Sequence, residues 1–177
     1  GRRNSLTAAQ TAVDQGGDLL ILVQHDAEIE NPGDKDLAPI GVLATVRDVL
    51  RAPHIGVQML VELHRRVRFH HLESTEPYLF GAYSELDNLI DTDDPELINK
   101  AIAFLEQYAE TLGEANQQVM SVTRNKDTAG ELADYIAGLI NLPFDTELQL
   151  LLSLDGGQRL LMVTEYLEQE LRITEIR

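Results

Sequence analysis

Hydrophobic positions along the chain change period near its middle. From Val57 to Leu63 they alternate: Val57, Met59, Val61 and Leu63 share one face, and Gln58 and Glu62 share the other with Leu60. That is the period of a half-buried strand. From Leu97 onward the spacing is helical, with Leu97, Ala101, Phe104, Leu105, Tyr108 and Leu112 recurring three and four residues apart. Residues 1–90 therefore read as a β-rich lobe and residues 91–177 as an α-helical lobe, which makes an α+β fold.

Ser5 stands before an alanine-rich run and is expected to cap a short helix that ends at Gly16-Gly17. Asp18–Gln24 is short, branched and bounded by turn formers, so it reads as a buried strand, and Asn31–Asp36 as a loop. Ile40–Leu50 and Val57–Leu63 are strands joined by a loose hairpin through Arg51–Gly56. Arg65–Leu72 and Tyr78–Glu85, the latter opened by Pro77, bring the set to about five or six. In the second lobe Asp94-Pro95 marks a helix start, because the carboxylate accepts free amides and proline lacks the N–H that would go unpaired there. Gln117–Val122 and Leu132–Ile140 read as further helices. Asp145 is expected to cap a stretch reaching Leu154, and Gly156-Gly157 interrupts it. The last helix places Leu160, Val163, Leu167 and Leu171 on one face and Glu165, Glu168 and Glu170 outward, and it runs to the chain end without a stop signal. An uncapped end suggests a fragment of a longer protein.

Composition narrows the function classes. Fourteen basic against 30 acidic side chains give a net charge of −16, which disfavours nucleic-acid or membrane-surface binding through basic patches. The charge is uneven, since residues 1–90 hold 13 acidic and 8 basic groups, while residues 91–177 hold 17 and 6. No cysteine is present, so disulfides, zinc–thiolate sites and thiol nucleophiles are excluded, and a cytoplasmic location is expected. Apolar runs such as Leu19–Val23 fall far short of the roughly 20 residues of a membrane span.

Covalent chemistry finds little support. Phosphate-loop, dinucleotide, HExxH, GxSxG and EF-hand patterns are all absent. His64, His70 and His71 sit among Arg65, Arg66 and Arg68, whose charge opposes a bound cation, and no metal is expected. Asp91, Asp93 and Asp94 read as helix caps rather than calcium ligands, and Asp127–Gly130 as another cap. The arginine cluster reads as a charged strand edge rather than an RNA surface. The apolar hairpin is the better candidate. Leu50, Pro53, Ile55, Met59 and Leu63 would bind an unfolded segment if the hairpin projects, whereas Met59 and Leu63 would be core if it does not.

The ordered set Leu19–Gln24, Glu28–Pro32 and Asp36–Ala44, followed by Val57–Glu62 with Arg66-Val67, Leu132–Ala137 through Pro143, and Gln149–Leu151 with Leu154-Asp155 and Arg159-Leu160, resembles the N-terminal domain of the Lon ATP-dependent proteases. Two departures stand out: Leu63-His64-Arg65 occupies the place where the family has a glycine, and the family's first strand, with its Pro-Leu-Arg motif, has no counterpart before Gly1. The resemblance implies a PUA-like β lobe, then a helical lobe leading toward an ATPase ring. It also implies recognition of misfolded or degron-bearing proteins and support of a homohexamer. Catalysis by a Ser-Lys dyad, and ATP with magnesium, would belong to an AAA+ serine protease outside this chain, which itself would have no catalytic residues and no cofactor. A stand-alone adaptor is the alternative, and RNA binding by analogy with the PUA-like fold is a weaker one.

Overall fold

The computed structural model describes residues 2–54, 56–87 and 89–176, with side chains described for residues 5–54, 56–87 and 89–174. The chain divides into two units, Gly1–Asp87 and Asn88–Arg177.

The first unit contains α1 (Arg2–Gln15), β1 (Asp18–Ile21), β2 (Ile40–Ala52), β3 (Gly56–Ser74) and β4 (Phe80–Ser84). The strands form one antiparallel sheet in the order β1-β2-β3-β4. Helix α1 lies against β1 and β2, and its inward side chains Ala9 and Ala12 are small enough for close approach. Under it the core gathers Leu37, Ala38, Ile40, Leu43, Ala44, Val46, Val67 and Phe69. Ser5 does not cap α1. It lies inside the helix, because no glycine or proline between Arg2 and Ser5 stops propagation toward the N-terminus.

β1 leaves the ladder at Ile21 rather than at Gln24, and the chain continues through one isolated bridge between Gln24 and Leu37, made by two backbone bonds, Ala38 N to Val23 O at 2.8 Å and His25 N to Asp36 O at 3.0 Å. Gly41 explains the tight crossing. A Cβ there would lie 2.9 Å from Leu22 Cδ2 and 3.0 Å from the Ile21 carbonyl, so only glycine lets β1 and β2 approach this closely. Asp34–Asp36, read as loop, forms one turn of 3-10 helix, and the Asp34 carboxylate accepts the Leu72 amide at 2.7 Å.

Val57–Leu63 and Arg65–Leu72 are not separate strands. They form the single nineteen-residue β3, so the described sheet has four strands instead of five or six. His64 makes this possible by bulging instead of turning: Leu43 faces Arg65 while Ala44 faces Leu63. A second bulge puts Arg47 on β2 between the pairs Val46–Val61 and Asp48–Leu60. Pro77 does not open β4; it follows a cis bond from Glu76 in a bend, and the strand begins at Phe80.

The second unit is helical: α2 (Pro95–Glu110), α3 (Asn116–Arg124), α4 (Ala129–Leu139), α5 (Phe144–Leu152) and α6 (Gly156–Ile176). Leu105, Ile136, Leu160, Val163 and Leu167 are fully buried at its centre, where α6 packs on α2 and α4. Asp94 caps α2 by accepting the Glu96 amide at 3.0 Å, ahead of Pro95. Thr128 caps α4 through the Glu131 amide at 3.2 Å. Asp145 does not cap α5 but sits in its first turn, because the Pro143 carbonyl already accepts the Thr146 and Glu147 amides, each at 3.0 Å.

Candidate functional site

β1 pairs with β2 only as far as Thr45, and β4 pairs with β3 only from Arg68 onward. Between these limits β2 and β3 run on as a two-stranded hairpin from Val46–Val61 to Ala52–Gly56. At about 3.4 Å per residue, its β2 arm extends roughly 20 Å past the last β1 pair. Gly56 closes its turn at a positive φ of 86°, a region that side chains disfavour.

The pairing register assigns the hairpin's faces. Val46, Val49, Val57, Met59, Val61 and Leu63 share one face; Asp48, Leu50, Gln58, Leu60 and Glu62 share the other. Met59 is 41% exposed, Leu63 62%, Leu50 57% and Leu60 64%. Met59 and Leu63 are therefore surface residues brought onto one face, and Leu50 is exposed on the opposite face. Pro53 is exposed in the turn, and Ile55 lies outside the described residues. Sequence reasoning missed Leu60 because its neighbours Gln58 and Glu62 made that face look merely polar. Its signal was an unpaired leucine in a polar register.

The base of the hairpin is held by polar contacts. Arg47 donates through Nε to Glu62 Oε2 at 2.7 Å and forms an ion pair with the same carboxylate, which holds the Glu62 carboxyl below its ordinary range. Thr45 Oγ1 donates to Asp18 Oδ1 at 2.8 Å and sits 2.5 Å from His64 Nε2, so the imidazole acts as donor to the hydroxyl. Arg65 grips Glu85 with two bonds of 2.8 and 2.6 Å, which lower the Glu85 carboxyl and raise the Arg65 guanidinium. An arginine so engaged is a poor phosphate ligand. His70 pairs separately with Ser84, Nε2 to Oγ at 2.7 Å. Among the described residues no three His, Cys, Asp or Glu side chains converge to hold a metal ion, and no helix is long and apolar enough to cross a membrane.

The acidic segment ahead of α2 serves the helical unit. Asp93 Oδ1 accepts the Ala129 amide at 2.8 Å and Asp91 Oδ1 the Gly130 amide at 2.7 Å, so both carboxylates sit on the N-terminus of α4. Asp155 does the same for α6 through Gly157 N at 2.9 Å. It also takes the Thr92 amide and hydroxyl, each at 3.1 Å; the Thr92 amide bond is the main cause that holds its carboxyl below the ordinary value. Buried Arg159 donates to Asp134 Oδ1 at 3.2 Å and to the Ser153 carbonyl at 2.9 Å.

A sheet that extends an apolar hairpin, joined in sequence to a capped helical unit, defines an α+β module built to present a surface. A family model described as the ATP-dependent protease La (LON) substrate-binding domain matches residues 1–169, and the chain belongs to that family. Among curated relatives it is 26% identical over 180 residues to the Lon protease of Desulfovibrio desulfuricans, covering 100% of this chain and 20% of the relative. It is 26% identical over 177 residues to that of Vibrio parahaemolyticus, covering 99% of this chain and 23% of the relative. The chain thus spans about a fifth of these relatives' length. Its fold matches the N-terminal domain of Mycobacterium avium complex Lon protease with a TM-score of 0.68 at 19% identity, over 94% of this chain and 84% of that one. It also matches a Xanthomonas campestris Lon N-terminal domain protein with a TM-score of 0.59 at 17% identity, over 93% and 84%.

Proposed function

We propose that this domain recognises misfolded or degron-bearing proteins for an ATP-dependent Lon protease in the cytoplasm, and that it supports assembly of the protease's homohexamer. The observation that carries the reading is the hairpin: leucines and a methionine stand exposed on a strand pair that neither β1 nor β4 covers. A large apolar side chain gains about 1.5–3 kcal/mol when it passes from full exposure to full burial, and these begin half covered, so each contact is weak. Weak contacts suit a protein that must accept many sequences and release them. Several copies in one assembly would raise the avidity without new contacts. The chain has no phosphate-binding loop in its sequence, so ATP with magnesium, and the proteolytic Ser-Lys dyad, are assigned to parts of a longer protein beyond these residues.

The test is capture of a chemically denatured protein against its native form. The domain should retain the denatured form preferentially, and Met59→Asp and Leu60→Asp should each weaken retention several-fold while leaving the circular dichroism spectrum and melting temperature unchanged. Equal retention of native and denatured forms would overturn the reading.

A further inference from the structure

The two edges of the hairpin are built differently. The β2 edge reads Val46-Arg47-Asp48-Val49-Leu50-Arg51-Ala52, with three charged residues and the bulge at Arg47. Charge and bulges are the means by which sheet proteins keep an edge from pairing with another chain. The β3 edge reads Val57-Gln58-Met59-Leu60-Val61-Glu62-Leu63, and its one charge, Glu62, is tied across the ladder to Arg47. From Val57 to Val61 it has no charge, no proline, no glycine and no bulge. Among the described residues, the backbone of 57–63 has only β2 as a ladder partner, so its outward amides and carbonyls face solvent. A short, uncharged run of high β-propensity on an open edge is the pattern that invites strand addition.

We propose that a client polypeptide binds as an added antiparallel or parallel strand along the β3 edge between Val57 and Leu63. This deepens the proposed function and rests on it: the client is an unfolded, uncharged, apolar segment held in extended form. Its backbone hydrogen bonds supply affinity that is indifferent to sequence. Met59 and Leu63 on one face and Leu60 on the other favour apolar side chains on both sides of the added strand. The edge is bounded at one end by Gly56 in the turn and at the other by the His64 bulge and the Arg65–Glu85 pair, a length of about seven residues or roughly 23 Å. A second copy of this chain is the poorer occupant. One strand of that length buries only a few hundred Å2 per side, below the roughly 1,200 Å2 total of a stable interface. A client that must later be released needs no more than that.

The test uses the full 177-residue chain and a short fluorescein-labelled peptide of alternating valine and threonine with a lysine at each end. Its counterpart carries N-methyl groups on two adjacent central residues, so that each edge of the peptide loses a donor while the side chains stay the same. The parent peptide should bind and slow amide exchange at Val57–Leu63, and the methylated one should bind at least about tenfold more weakly. Equal binding of the two peptides overturns strand addition and leaves side-chain capture standing. Protection on Val46–Ala52 instead of β3, dimers that form through Val57–Val61 in sedimentation, or failure of the parent peptide while denatured protein is still captured would each overturn it as well. Failure of both the parent peptide and denatured protein would overturn the proposed function with it.

Discussion

Gly156→Ala is the sharpest probe of how the helical unit is assembled. A Cβ on Gly156 would lie 1.7 Å from Asp91 Oδ1 and 2.7 Å from both the Cα and the amide nitrogen of Gly130. Rotation can move the Asp91 carboxylate, but only by loosening its 2.7 Å bond to the Gly130 amide. The Gly130 backbone cannot move out of the way without shifting the start of α4 against α6. Overpacking of this kind costs about 1–3 kcal/mol, and a weakened bond to a charged acceptor adds to it. Alanine returns less than about 1 kcal/mol in helix propensity, because position 156 opens the helix. The net is a destabilisation of about 2–3 kcal/mol. For the ninety-residue unit Asn88–Arg177 this lowers the melting temperature by roughly 10–20 °C, at about 4–8 °C per kcal/mol. Gly138→Ala is the internal control, since a Cβ on that residue of α4 meets no atom within 4 Å and should be neutral or slightly stabilising. Thermal unfolding followed by far-UV circular dichroism reads both. If Gly156→Ala melts with the wild type or tracks Gly138→Ala, the close approach of the two helix starts is wrong.

Asp155 should make the helical unit acid-sensitive. Its folded pKa lies below the ordinary value of 3.8, chiefly through the Thr92 amide, so its stabilisation is present above that value and is lost as the pH falls through the folded pKa. The stability gap between wild type and Asp155→Asn in urea titrations should be constant at neutral pH and close below about pH 4; a gap independent of pH would refute the assignment. Leu105→Ala, at a fully buried position, should cost about 2–5 kcal/mol in the same titration, whereas Leu60→Ala should stay within about 0.5 kcal/mol of wild type. A large loss at Leu60 would show that the hairpin is packed and not displayed.

The helical unit was largely legible in the sequence because its signals are local. Asp94-Pro95 and the spacing Leu160, Val163, Leu167 and Leu171 depend on neighbours a turn away, and those leucines and Val163 are buried as the period requires. The roles of Asp91 and Asp93 were only half legible. Their affinity for helix starts could be read, but Asp91 and Asp93 serve α4, thirty-odd residues away, and no local pattern reports a long-range cap. In the sheet the alternation at Val57–Leu63 was visible, yet its continuity through His64 was not, because a bulge leaves no composition mark when the bulged residue is not glycine. Alternation also reports two faces without saying whether either is covered. Whether Met59 and Leu63 were core or surface rested on where β1 and β4 stop pairing, a tertiary fact.

The two bulges explain how an apolar hairpin coexists with a stable sheet. Arg47 bulges on β2 and His64 on β3, close to where β1 pairing ends at Thr45. On the sheet side of this line Leu43, Ala44, Val67 and Phe69 are buried; past it Leu50, Met59 and Leu60 are exposed. Polar groups cluster along the same line, with Thr45 between Asp18 and His64 and with Arg47 on Glu62. An isolated two-stranded hairpin is marginal in water, so the distal arm must borrow its register from the ladder below. A bulge fixes register, and placing one on each strand fixes it from both sides. Deleting His64 tests the register itself: Leu63 and Arg65 already face the adjacent residues Ala44 and Leu43, so the shortened β3 should pair as a regular ladder, with Val67 kept in the core and Met59 and Leu63 kept on their face. What is lost is the local bend and the Thr45–His64 hydrogen bond, so the variant should fold cooperatively at a cost of about 1 kcal/mol and capture the same client. A loss of several kcal/mol, or an exchange of faces between Met59 and Leu60 read as altered capture in a folded protein, would refute the register.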